Sequence, residues 1–209
     1  GHISLTKELS QKSTLGIEFT KMYYLAQQAG GLTDNLFNSN PDTSVRERNW
    51  FRVNWNLAAL NFKHSFSSNA SLSSKTFGLI ASRESLGYLD QINRVDPIYT
   101  NPEKAGRNLI SGAFKNIGNE TRFIQKYRVF DQPWAFVSGF RIYKGYSENR
   151  QGAANREYGP DFYFVGLDGN ATNTNVNTDY QFPSFNLALF GEHIFNVSKK
   201  LSITPGLRY

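Results

Sequence analysis

Apolar and polar residues alternate with a period of two along much of the chain, the mark of β-strands whose two faces meet different surroundings. The clearest run is Trp50 to Phe62, with Phe51, Val53, Trp55, Leu57 and Ala59 on one side and Arg52, Asn54, Asn56 and Ala58 on the other. Leu15, Ile17 and Phe19 alternate with Gly16, Glu18 and Thr20, while Trp134, Phe136, Ser138, Phe140 and Ile142 oppose Gly139, Arg141 and Tyr143. Phe185, Leu187 and Leu189 alternate with Asn186, Ala188, Phe190 and Glu192. Weaker copies run through 71–83, 120–129 and 201–209, and His2 to Leu9 forms a partial one. An Arg and two Asn on one strand face are costly in a dry core and at home against a watery lumen. The pattern therefore predicts strands with an apolar face toward lipid and a polar face toward a lumen, including 50–62 with its arginine and asparagines inward.

The connectors sort into two lengths. Short links fall near 10–12, 67–69, 130–133 and 196–200, and long polar ones rich in Gly, Asn and Pro fall near 27–44, 84–118 and 149–180. Short turns alternating with long loops are the layout of an outer-membrane β-barrel, turns toward the periplasm and loops outward. The fold class expected is all-β, an antiparallel transmembrane barrel with about eight strands present, odd ones running inward and even ones outward. The strand near 45–66 exceeds the roughly 9 to 11 residues that cross a bilayer, so it projects above the membrane as a rim. Tyr23 and Trp50 are then expected near the outer interface, and Trp134, Phe130 and Phe195 near the inner one. A closed eight-stranded barrel fills its interior with side chains and seldom carries such loops. The expectation is accordingly a piece of a larger barrel over 1–209.

Composition sharpens this picture. Of the 209 residues 39% are hydrophobic but 15% are aromatic, with 17 Phe, 11 Tyr and 3 Trp, the excess of rings that membrane barrels use as girdles. No stretch approaches the roughly 20 apolar residues of a membrane helix. Gly1 to Ser4 opens directly in strand-like alternation without a basic, apolar leader, so the expectation is a removed signal peptide or an internal segment. The absence of cysteine rules out disulfides and thiolate chemistry within the chain. The net charge of +6 comes from dispersed bases, which argues against a nucleic-acid interface.

The segment Phe182 to Tyr209, which ends Leu201-Ser-Ile-Thr-Pro-Gly-Leu-Arg-Tyr209, resembles a hairpin of TonB-dependent outer-membrane receptors, and Ser138-Gly-Phe-Arg-Ile-Tyr143 followed by Glu148-Asn-Arg150-Gln-Gly152 resembles a strand and loop start of their ferric dicitrate branch. The resemblance implies part of a barrel of about 22 strands, in the bacterial outer membrane, without the plug domain or TonB box. It also implies the function: active import of a scarce nutrient, a ferric chelate such as ferric citrate or a siderophore, with the TonB complex acting through a plug absent from this chain. Tyr209 then sits inside the barrel wall, where the Pro-Gly pair marks a bend and a break in the ladder. The rival functions are a passive porin or small structural barrel of eight complete strands, and a soluble β-sandwich binding module.

Nothing in the sequence has the spacing of a catalytic site, so no enzyme and no cofactor is expected. His2, His64 and His193 are isolated, adjacent strand residues such as Glu192 and His193 point to opposite faces, and no metal is expected. Gly166-Leu-Asp-Gly169-Asn170 lacks the ligand spacing of a calcium loop and reads as turn chemistry. The sequons at Asn119, Asn170 and Asn196 are incidental for such a protein. The basic residues are the candidate ligand site. Arg83, Arg94, Lys104, Arg107, Lys115, Arg150 and Arg156 lie in or beside two long loops, and Arg122, Lys126, Arg128 and Arg141 fall on inferred lumen faces. From these, Arg83, Arg107, Arg122, Arg128, Arg141 and Arg150 are expected to form a funnel that steers and clamps an anion. The same cations equally suit lipopolysaccharide phosphates or neighbouring carboxylates.

Overall fold

A computed structural model, which describes residues 1–166 and 174–209, is one continuous antiparallel sheet. Its strands are β1 (His2–Ser10), β2 (Ser13–Gln27), β3 (Trp50–Ser65), β4 (Ala70–Gly87), β5 (Arg107–Val129), β6 (Gln132–Ala154), β7 (Val176–Ser198), β8 (Leu201–Ile203) and β9 (Gly206–Arg208). Each strand through β8 pairs with its sequence neighbour, and β9 also pairs with β7. The last predicted strand is thus split in two at Thr204-Pro205. Proline has no N–H for the ladder, and its carbonyl instead accepts from the His193 N–H at 3.0 Å. The path is linear, with β1 at one edge and β8 and β9 at the other, so these strands form an open wall and not a closed eight-stranded barrel.

Short turns join the strands at one end of the wall and long connections at the other. The turn between β5 and β6 has both central residues left-handed, Phe130 at φ 47° and Asp131 at φ 61°, the two-residue geometry whose twist matches that of the flanking strands. The long connections span 28–49, 88–106 and 155–175, the last two shorter than the sequence pattern suggests. The Asn170 sequon and the Gly166–Asn170 turn beyond Gly166 lie outside the described residues. At about 3.3 Å per residue and a tilt near 45°, a 23-residue strand such as β6 climbs about 50 Å, well beyond the ~25–30 Å apolar thickness of a membrane.

The pairing register sorts side chains onto two faces. One carries Leu15, Ile17, Phe19, Leu60, Phe62, Phe123, Phe136, Phe140, Ile142, Phe185, Leu187 and Leu189 along the half nearer the short turns, many of them exposed. A few polar residues interrupt this belt and satisfy one another: the Asn119 amide donates to Ser74 at 3.0 Å and Thr76 at 2.8 Å, and the Ser74 and Thr121 hydroxyls lie 2.8 Å apart. Further up the same face the residues become Lys21, Arg52, Asn54, Asn56, Glu84, Lys115, Lys144, Glu148 and Arg150.

This register corrects one expectation. Phe51, Val53, Trp55 and Leu57 lie on the same face as Glu18, Lys75 and Arg141, the inner wall, while Arg52, Asn54 and Asn56 lie on the outer face above the apolar belt. A polar strand face marks contact with water, and the rim outside the barrel supplies water as well as the lumen does.

The connection after β6 folds back over the top of the outer face. Phe162 and Phe164 pack with Trp50 against buried Leu86, Leu109 and Ala154, and the Arg52 guanidinium lies 4.1 Å from the Phe162 ring centre. Arg52 is also paired with Glu84 at 2.6 Å. The upper wall therefore has a small interior of its own, which the belt below lacks.

Candidate functional site on the inner wall

The inner face divides into a charged lower part and a ring-lined upper part. Below, Glu120 sits between Arg122, which donates from Nε at 2.8 Å, and Arg141 at 3.6 Å, and Glu18 pairs with Lys75 at 3.5 Å. Rings lie flat on this wall because their cross-strand partners are glycine. A Cβ at Gly139 would meet the Phe190 ring at 2.5 Å, and one at Gly118 would meet the Phe77 ring at 2.6 Å. Arg122 and Arg208 stand over Phe190, and Arg141 over Phe77. A cavity of about 510 Å³ opens here between Glu120, Arg122, Phe190, Glu192 and Arg208.

Above, two cavities of about 320 and 390 Å³ share Arg83, Phe114, Ser147 and Phe182. Phe51 completes the first, and Trp55, Leu79 and Tyr143 line the second. Arg83 makes no ion pair or hydrogen bond among the described residues, whereas Glu84 points to the opposite face and Glu148, which borders the first cavity, pairs with Arg150.

The six arginines singled out by sequence thus occupy four settings. Arg83, Arg122 and Arg141 share the inner wall. Arg150 lies on the outer face, 3.5 Å from Asp179, with its guanidinium over Phe164. Arg128 sits beside the short β5–β6 turn, donating to the Asp131 carbonyl at 2.8 Å. Arg107, at the start of β5, is buried beneath the long connections, where it donates to the Asn155 carbonyl at 3.0 Å, the Gly159 carbonyl at 2.8 Å and the Asn155 side chain. Burial, followed by the nearby Arg48 charge, lowers the Arg107 pKa to about 10, so it stays charged at neutral pH.

Arg48 and Asp96, which the sequence reading did not single out, tie the three connections together. Arg48 is fully buried, grips Asp96 through two bonds of 2.9 and 2.6 Å, and donates to the Ala105 and Arg156 carbonyls at 3.0 and 2.8 Å. Nothing in a sequence links residues so far apart; Arg48 inside an otherwise polar loop was the available clue.

Of the girdle aromatics, Trp134 and Phe195 meet at 5.0 Å near the short turns, with His193 between them and Tyr127. Tyr23 is exposed on the outer face above the belt, and Trp50 lies at the top of β3, donating to the Tyr158 carbonyl at 2.7 Å. Among the described residues no helix is long and apolar enough to cross a membrane, and no group of three or more His, Asp or Glu gathers as a metal site.

An open antiparallel wall with an apolar outer belt, a wet inner face and long connections at one end has the fold of a segment of a large membrane barrel. Solved structures share this fold. The chain matches the ferric citrate transporter FecA in its unliganded form over 99% of its own length, at 15% identity and a TM-score of 0.78. It also matches the ferric-catecholate import receptor Fiu of E. coli K12 (11% identity, TM-score 0.68) and the ferripyoverdine receptor of the outer membrane of Pseudomonas aeruginosa (13%, 0.66), in both cases over 99% of its length. These neighbours are of the TonB-dependent receptor class that the Phe182–Tyr209 hairpin resembles. The chain spans 28%, 35% and 29% of those three proteins. No family model and no curated protein sequence matches it.

Proposed function

We propose that this chain forms part of the barrel wall of an outer-membrane receptor that imports a ferric chelate, of ferric-citrate or siderophore type, by TonB-dependent transport. The short turns face the periplasm and the long connections face outward. The wall does no covalent chemistry. It holds a wet, positively charged passage open in the membrane, into which an anionic chelate is steered and where guanidiniums meet its carboxylates or phenolates. A plug outside this chain closes the passage until the inner-membrane TonB complex supplies the energy to move it.

The observation that carries this reading is the agreement in fold, over nearly the whole chain, with a ferric citrate transporter and with receptors for other ferric chelates. The test is radioiron uptake from ferric chelates by cells whose other ferric-chelate receptors are deleted and which express the full-length protein. Saturable uptake that stops when TonB is removed is the expected result. Non-saturable leakage of unrelated small solutes, unaffected by loss of TonB, would instead make the protein a passive channel.

A further inference from the structure

Resting on that reading, we propose that the upper inner wall binds an anionic chelate that bears aromatic rings, in preference to a small aliphatic hydroxy-acid chelate such as ferric citrate. The two joined cavities supply both halves of the recognition. Of their rings, Phe51 meets Tyr24 edge-on and Phe182 meets Tyr180, each at 6.2 Å, whereas Trp55 and Phe114 pair with no other aromatic side chain among the described residues, and the Trp55 indole N–H has no hydrogen-bond partner there. Arg83 stands among them with no ion pair among the described residues: the pairing register sends Glu84 and Asp179 to the opposite face, and Glu148, which borders the first cavity, pairs with Arg150 at 3.9 Å.

A ferric citrate complex is covered with carboxylates and hydroxyls and has no apolar surface to offer these rings. The arginines lower on the wall, Arg122 and Arg141, are engaged by Glu120, whereas Arg83 stands without an ion pair among the described residues, beside Trp55 and Phe114. A planar ring carrying phenolate or carboxylate oxygens satisfies both features, with its face against Phe114 or Phe182 and its oxygens toward the Arg83 fork. Gly112 and Gly145 let the Phe114 ring and the Tyr143 side chain lie close against the wall, where an added Cβ would meet them at 3.2 and 2.8 Å.

The test uses the full-length protein and two probes, the ferric complex of 2,3-dihydroxybenzoate and ferric citrate, with binding read by quenching of tryptophan fluorescence and by radioiron retention. The aromatic complex is expected to bind at least about tenfold more tightly than citrate, and Trp55→Ala, Phe114→Ala and Arg83→Gln are each expected to weaken it by about tenfold. Lys144→Gln on the outer face is expected to leave it unchanged. Folding is checked by resistance of the barrel to unfolding in detergent without heating, and Phe114→Leu, which keeps bulk without the ring, is expected to show the same loss. Preferential binding of ferric citrate, unaltered in Trp55→Ala and Phe114→Ala, would overturn this proposal and leave the chelate-import reading standing. Binding of neither probe would overturn this proposal alone, since the import reading is decided by the uptake assay. Shielding of a Phe114→Cys label from aqueous reagents in the ligand-free protein would also overturn the proposal, since the groove would then be filled by the protein's own chain.

Discussion

The same strands build two different outer surfaces. On β6, Trp134, Phe136, Phe140 and Ile142 are followed on one face by Lys144, Tyr146, Glu148 and Arg150, and on β7 Leu189, Leu187 and Phe185 give way to Gln181 and Asp179. The lower part has no interior: its apolar residues stand exposed, and its stray polar groups bond to one another, as groups without access to water must. The upper part is organised like a soluble protein, with buried Leu86 and Leu109, a covering connection and ion pairs across the strands. The difference teaches that the backbone ladder is indifferent to its solvent and that the side chains alone record where lipid ends.

The largest effect expected from breaking this contrast lies in the upper part. Arg48→Ala strands the buried Asp96 carboxylate and is expected to cost about 3–5 kcal/mol, read as lost protease resistance of the long connections and a lower denaturant midpoint of the full-length protein. Next comes a matched pair on one strand and one face. Leu187→Arg in the belt is expected to cost about 2–4 kcal/mol, whereas Gln181→Arg above it changes stability by less than about 0.5 kcal/mol, both measured by unfolding in lipid vesicles. Equal costs at the two positions would dissolve the distinction between belt and rim.

Smaller effects sharpen it. Asn119→Ala removes the donor shared by Ser74 and Thr76 and is expected to cost about 1 kcal/mol in the same assay. At the loop end, the Gln91 backbone N–H, together with the Tyr88 hydroxyl, holds the Asp90 carboxyl below its ordinary value of 3.8. A depressed carboxyl stabilises the fold above its unfolded value, and that contribution is lost as the pH falls through the folded one. Acidification below pH 3.8 is therefore expected to loosen residues 88–91 slightly, seen as faster amide exchange there and unchanged exchange in the belt.

Much of the wall was legible because the belt presents lipid on one side and water on the other, which prints a period of two into 15–19, 134–142 and 185–192. The same logic explains the shortfalls. Above the belt both faces meet water, so the alternation fades through Lys144, Gly145, Tyr146, Ser147, Glu148 and Asn149, and strands that continue to Ala154 and begin at Arg107 read as loop. The rim also inverted the reading of 50–62, where the polar side is the outer one. Of the candidate site, the presence of cations on the inner wall was legible from parity. Their pairing was legible only in part, since Glu120 and Arg122 share a face by spacing, while the isolation of Arg83 depends on the register of three strands.

The central claim, that one outer face crosses from lipid into water partway up each long strand, is tested most directly by single cysteines placed along β7 in the full-length protein and labelled with spin probes. Because this segment has no native cysteine, the labels introduced into it are unambiguous within it. Labels at 185, 187 and 189 are expected to respond to oxygen dissolved in the membrane, those at 179 and 181 to a water-soluble relaxer, and those at 186 and 188 to show no lipid exposure. Water access at 187, or lipid access continuing unchanged to 179, would contradict the account.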